Sequence, residues 1–535
     1  MSDEVQVAGI KSSSEDRKFY PVKQLNGRAQ IFTGEKVITR ENVLSVLNDA
    51  LKVHSRNRAD IVYLEKYLRG VQPILDRVKN VNADINNRVV VNIANQIVAF
   101  KTANFAGDPI QYVSRGGGKT VQENVKELNS MMLTEGKPSK DMELAYTMFT
   151  CGVGYRLVQS DKAAEYANAK MNGDIFDEAP FEFYVPDTRN TFVVRVNDVT
   201  KRVIMGVTYV FKNESTVEYT VYTDKEAYKI TGTQMSVGDI TSVEVHNLGF
   251  VPLIEYPCNP SYMGAFEVVL PLLDAYNLLT SNRLDGIEQF IQALMVFEGV
   301  DVTREQFLEL RDLGAIKLPP SVDGRSSRVY YLNSQLDQQQ TQTLIDNIYD
   351  RILQIVGMPS QGNANTSDSS NNGAMIVKNG WWNAEARALE TENSWKLSET
   401  DFLRVVLKIC RDSNAINTLK VSDVEPKFGR RSYEDKLTKT QSFTTLIAAN
   451  VPPIQAYKYS GLDTDPEAAA IMFEDYQKKL EDELGFPPPL ANSGISATIN
   501  EEKSRSIEEK QERDETDEEK RRRRMADRDG IVGEK

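Results

Sequence analysis

Residues 115–120 read RGGGKT, three glycines followed by a lysine and a threonine, after the strand-like PIQYV and before a helical pattern. A phosphate-binding loop uses such glycines to bring backbone N–H groups onto a phosphate, with the lysine and threonine completing the shell. The full spacing requires glycine at position 113, where Val113 stands, and no apolar strand ending in aspartate follows to hold magnesium. The run reads as a surface turn, and a nucleotide hydrolase using it is the alternative. His246 and Cys258 flank an extended apolar stretch, but no nucleophile elbow or orienting third partner accompanies them. They read as a structural histidine and a buried cysteine. Asp346 and Asp350 sit one helical turn apart, a spacing that suits paired carboxylates but more often marks a solvated stripe. Trp381, Trp382 and Trp395 could stack on bases, with core packing the stronger default. No enzyme, metal or cofactor is expected.

The composition narrows the class further. The 535 residues suggest roughly three to four domains, and 40% apolar content suffices to bury their cores. Cys151, Cys258 and Cys410 are far apart and odd in number, so a reducing compartment is expected rather than a disulfide framework. The start, MSDEVQ, is polar and acidic and predicts no signal peptide. No apolar run is long enough for a membrane span. The net charge of −13 argues against a stationary DNA binder, which needs basic side chains to displace counterions from phosphate.

The elements that must position any site read as follows. Residues 1–40 lack a period and look like an arm. A helical stripe runs from Glu41 to Leu75 and is broken by Gly70 and Pro73. A second covers 84–106, with Val90, Ile93, Ile97 and Phe100 on one face, and residues 121–149 are helical again. Between 153 and 258 the runs FEFYV, TFVVRV, RVIMGVTYVF and STVEYTVYT alternate as antiparallel strands do. A long helix is predicted from Phe266 to Phe297, then a small unit at 299–335 and a helix at 336–356. The small unit carries Arg304, Arg311, Lys317, Arg325 and Arg328, which suit DNA, an acidic partner or plain solvation. Residues 359–374, PSQGNANTSDSSNNGA, hold a single charge and no large apolar side chain. A helix over 375–410 with a bend at Gly380, helical chain over 433–484 opening on Asp465-Pro466-Glu467, and a charge-dense tail containing Arg521–Arg524 complete the chain.

Three passages, YLEKYLRGVQPIL (63–75), NNRVVVNIANQIVAFKTANFAGDPIQY (86–112) and HNLGFVPLIEYPCNPSYMGAFEVVLPLLDAYN (246–277), resemble portal proteins of tailed bacteriophages, of the siphophage type of Gram-positive hosts. The likeness spans about 41–480 and is weak in the β-rich middle, the arm and the tail. It implies a mainly helical α+β portal fold and a ring, usually of twelve copies, at one capsid vertex. The implied parts are an arm (1–40), a wing (41–261, with 153–258 its β-rich part), a first stem helix (262–298) and a clip (299–335). A second stem helix (336–357), a tunnel loop (358–374), a long wing helix and return (375–432), a crown (433–484) and a tail (485–535) follow. Antiparallel packing of the two stem helices is implied.

The resemblance also implies partners. Double-stranded DNA would pass through the bore without sequence recognition. Gln361, Asn363, Asn365, Thr366, Ser367, Asp368, Ser369, Ser370, Asn371 and Asn372 would face it from the tunnel loop. The five basic clip residues would meet the terminase large subunit during packaging and a head–tail adaptor afterwards. Major capsid and scaffolding proteins would surround the ring, which assembles in the bacterial cytoplasm and stays in the virion. Another head–tail connector component is the alternative within the same setting. Asp274, Asn277, Arg283, Asp285 and Glu288 interrupt an otherwise apolar helix, which suits packing between neighbouring subunits.

Overall fold

A computed structural model describes residues 25–80, 83–115, 118–174, 178–213, 215–233, 236–246, 248–291, 294–298, 328–332, 338–359, 380–429, 436–463 and 465–484. The chain divides into two compact units, one of residues 1–112 with 124–431 and one of 113–123 with 432–535. The fold is mixed and rich in helix.

In the larger unit, strand β1 (Ile31–Thr33) precedes helix α1 (Val43–Leu68), whose inner stripe is Val43, Val46, Leu47, Ala50, Ile61 and Leu64. Gly70, at φ +91, ends this helix. The Val71 N–H reaches back to Lys66 O (2.9 Å) and the Gly70 N–H to Tyr67 O (3.0 Å), which satisfies the last carbonyls. Helix α2 (Ile93–Ala106) and strand β2 (Gln111–Ser114) follow. Helices α3 (Lys119–Thr134), whose start up to Glu123 falls in the smaller unit, and α4 (Lys137–Cys151) occupy the stretch predicted as one helix. Gly136, at φ +68, and Pro138 in the next first turn divide it.

The β-rich region forms two sheets. Strands β3 (Val153–Gln159), β4 (Glu182–Tyr184) and β10 (Leu253–Pro257) pair in the order β10-β3-β4. Strands β5 (Thr191–Val196), β6 (Val203–Phe211), β7 (Val217–Tyr222), β8 (Glu226–Gly232) and β9 (Val237–Val245) run as an antiparallel meander. β1 joins β5 in parallel, Ile31 opposite Val194. Residues 31–33 are therefore an edge strand rather than loose arm, and Ile31 packs with Leu47, Val194 and Val207 in the core under α1. The alternating reading of 153–258 missed helix α5 (Ala163–Asn172), an Ala-rich segment that buries no side chain and so leaves no apolar period.

Helix α6 (Leu270–Ile291) is shorter than predicted. Leu294–Glu298 is strand β11, paired antiparallel with β12 (Arg328–Leu332). Val296 and Phe297 favour a pleated strand, and the Val329-Tyr330-Tyr331 run opposite them decides the conformation over the helical propensity of the preceding residues. Helix α7 (Gln338–Val356), the long α8 (Trp381–Asp412) and strand β13 (Val424–Lys427) complete the unit. Gly380 precedes α8 as its N-cap at φ +78 instead of bending it.

The smaller unit holds α9 (Lys436–Ala448), α10 (Pro453–Ser460) and α11 (Pro466–Leu484) around Phe443, Tyr457 and Phe473. Asn450 at φ +59 and the Pro452–Pro453 pair split what the sequence pattern presented as continuous helix.

Candidate functional site

Helix α6 carries a row of buried polar side chains: Asp274, Asn277, Ser281 and Asp285. Their partners lie roughly two hundred residues upstream, in the last turn of α1 and the passage between α1 and α2. The Val91 N–H donates to Asn277 Oδ1 (2.9 Å), the Val89 N–H to Ser281 Oγ (3.0 Å) and the Asn87 N–H to Asp285 Oδ1 (2.8 Å). Alternate amides thus meet every fourth residue of a helix, running in opposite directions. The match is metric: two extended residues advance roughly 6.6 Å and four helical residues about 6 Å.

Charges lock one end of this ladder and a neutral hydroxyl holds the other. Arg77 and Lys79 pair with Asp285 at 2.9 and 3.0 Å. Burial pushes the Asp285 carboxyl up, but the Asn87 amide, Lys79 and Arg77 outweigh it and hold it below the ordinary carboxylate value. At the other end the Tyr67 hydroxyl donates to Asp274 (2.8 Å), with no cation in contact among the described residues, and burial pushes that carboxyl up to about 6. Gln72 accepts from the Asn277 side-chain amide (2.5 Å). Sequence pattern assigned Asp274, Asn277 and Asp285 to subunit contacts; the structure buries them inside one chain instead, because each answers an otherwise unpaired backbone or side-chain group.

The far side of α6 packs against α7. Tyr276 lies beside Tyr349, and the Arg283 guanidinium donates to Gln342, so numbering rises along one helix as it falls along the other. The pair is antiparallel, and the paired strands β11 and β12 lie between the two helices in the chain. Glu298 and Arg328 are directly paired, and residues 299–327 between them lie outside the described residues. On α7, Asp346 and Asp350 are exposed, and Asp346 accepts from the Gln342 amide (2.6 Å), a solvated stripe rather than a carboxylate pair.

A buried ionic knot ties α4, β3, β10 and α8. Arg156 Nη1 donates to Glu399 Oε2 (3.1 Å) and Lys137 meets Glu399 Oε1 (3.1 Å). Asp141 contacts both cations, and the Tyr112 and Tyr256 hydroxyls donate to Glu399 at 2.6 and 2.8 Å. Burial raises the Glu399 carboxyl, but Lys137 and Arg156 reverse that and hold it at about 2. Two cations against two anions balance in the knot, and it ties these elements together. The knot was missed in sequence because its members are scattered over almost three hundred residues.

The other candidate chemistry disperses. Lys119 opens α3, and residues 116–117 of RGGGKT lie outside the described residues. Cys258 is buried, which pushes its thiol up to about 12, and burial lowers the half-buried His246. Trp395 is 1% exposed against Phe105 and Tyr256, Trp381 leans on Phe100, and Trp382 is 73% exposed. Among the described residues no cluster of three metal-capable side chains occurs, and no helix is long and apolar enough to cross a membrane.

A family model described as "Phage portal protein, SPP1 Gp6-like" matches residues 48–481. The chain belongs to the SPP1 Gp6-like phage portal family. No curated protein matches it. A chain in a solved structure described as "Neck of empty GTA particle computed with C6 symmetry" is 11% identical, with a TM-score of 0.39 over 70% of this chain and 90% of that one. Gln361 to Asn372 of this portal protein, and Arg304, Arg311, Lys317 and Arg325, lie outside the described residues. Arg328 is the first residue of β12.

Proposed function

We propose that this portal protein assembles into a ring, usually of twelve copies, that forms the DNA channel at one capsid vertex. The observation that carries the reading is the antiparallel α6–α7 pair, with the paired strands β11 and β12 lying between the two helices in the chain. In this reading α6 and α7 are the stem, 299–335 the clip and 358–374 the tunnel loop. The α8 region is wing helix and return, and 433–484 is the crown. The ring admits DNA during packaging, retains it and releases it. The clip meets the terminase large subunit first and the head–tail adaptor later, and capsid and scaffolding proteins hold the rim. The net charge of −13 and the exposed Asp346 and Asp350 suit a channel that guides DNA without gripping it.

Electron microscopy of the purified protein tests this directly. Rings with a central bore are expected. A monomer at every concentration and salt would overturn the proposal.

A further inference from the structure

A groove of about 600 Å³ lies in the larger unit between α8 and the β10 side of the sheets. That volume is within the range of specific ligand sites. Three apolar side chains stand open on its walls: Val37 (59% exposed), Phe250 (42%) and Leu397 (71%). Arg195 is paired with Glu255, and Arg404 with Asp401. Lys36, Lys201 and Arg202 line the same groove and form no ion pair with a carboxylate among the described residues, and the one other acid on the wall is Asp224. The groove therefore offers apolar seats beside a surplus of positive charge.

We propose that this groove receives the acidic N-terminal stretch of the same chain, MSDEVQV. Asp3 and Glu4 supply the carboxylates that Lys36, Lys201 and Arg202 lack, and Val5 and Val7 supply alternate apolar side chains for Phe250 and Leu397. The tether is short. Gln30 lines the groove, and Val5 precedes Leu25 by 20 residues, which span up to about 65 Å when extended. The acidic run DETDEEK near the other terminus matches the charge but offers no apolar side chain.

The test uses the full chain carrying Val5→Cys and Leu397→Cys, since Cys151, Cys258 and Cys410 are buried. A flexible bismaleimide tolerates the register of the docked stretch. An intrachain product is expected, in yield well above that of a Val5→Cys, Met171→Cys control, Met171 being exposed and outside the groove. Adding Lys201→Glu and Arg202→Glu, or raising the salt, lowers the yield several-fold with an unchanged unfolding midpoint. Products only between chains would assign the groove to a second copy. A yield equal to the control would leave the stretch undocked. Either result overturns the proposal.

Discussion

Asn277 holds the Val91 amide at 2.9 Å although 186 residues separate them. The same carboxamide donates to Gln72, so one buried side chain joins α6 to both ends of the passage between α1 and α2. Asn277→Ala orphans the Val91 N–H and the Gln72 carbonyl together. A loss of about 1–3 kcal/mol is expected for a buried group left unpaired, read as a lower denaturant midpoint. An unchanged midpoint would show that the ladder adds nothing to stability.

Glu399 gives the protein a specific acid sensitivity. Its ordinary carboxyl value is 4.5 and the folded value about 2. The folded state therefore binds this proton more weakly than the unfolded one, so the contribution is present above about pH 4.5 and is lost as pH falls towards 2. Stability of the unaltered chain should decline through that window, and Glu399→Gln should flatten the decline. At neutral pH the same substitution leaves Lys137 and Arg156 short of an anion, with an expected cost of about 3–5 kcal/mol. Thermal unfolding across pH checks both.

Removal of Gly362–Asn372 separates a bore loop from a subunit contact. Under the proposed function, rings form normally in the microscope while DNA packaging fails or slows. Failure of ring assembly would place the loop between subunits.

Charge reversal of Arg325 and Arg328 tests the clip. Weaker binding of the terminase large subunit or the adaptor is expected in pull-downs, with ring assembly unaffected. Normal packaging and normal connector assembly would remove these residues from the docking surface.

Local signals were legible where the chain satisfies itself nearby. Gly70 ends α1 as its position suggested. Asp465 caps α11 as the Asp-Pro-Glu sequence predicted, accepting from the Glu467 and Ala468 amides at 3.2 and 3.1 Å. Three passages carried the family resemblance, and the family match covers them. Long-range satisfaction was not legible. Asp274, Asn277 and Asp285 look in sequence like solvent-facing or subunit-facing interruptions of an apolar helix, because nothing in their neighbourhood announces the Tyr67 hydroxyl and the Val91 and Asn87 amides roughly two hundred residues upstream. β11 was misread for the same reason: its partner β12 lies beyond 29 intervening residues, and pairing overrode local helix propensity.

The ladder also divides α6 mechanically. Every rung lies at or before Asp285, and Gly286 comes next, a residue that weakens a helix by roughly 0.5–1 kcal/mol relative to alanine. Rotating the helix by one residue would break all rungs at once, so the stretch from Asp274 to Asp285 behaves as a fixed axle. On the side towards β11, the last six residues, Gly286 to Ile291, lie beyond it. A push arriving through β11 would then find its fulcrum at Gly286, and the body of the subunit would stay still while the tip leans.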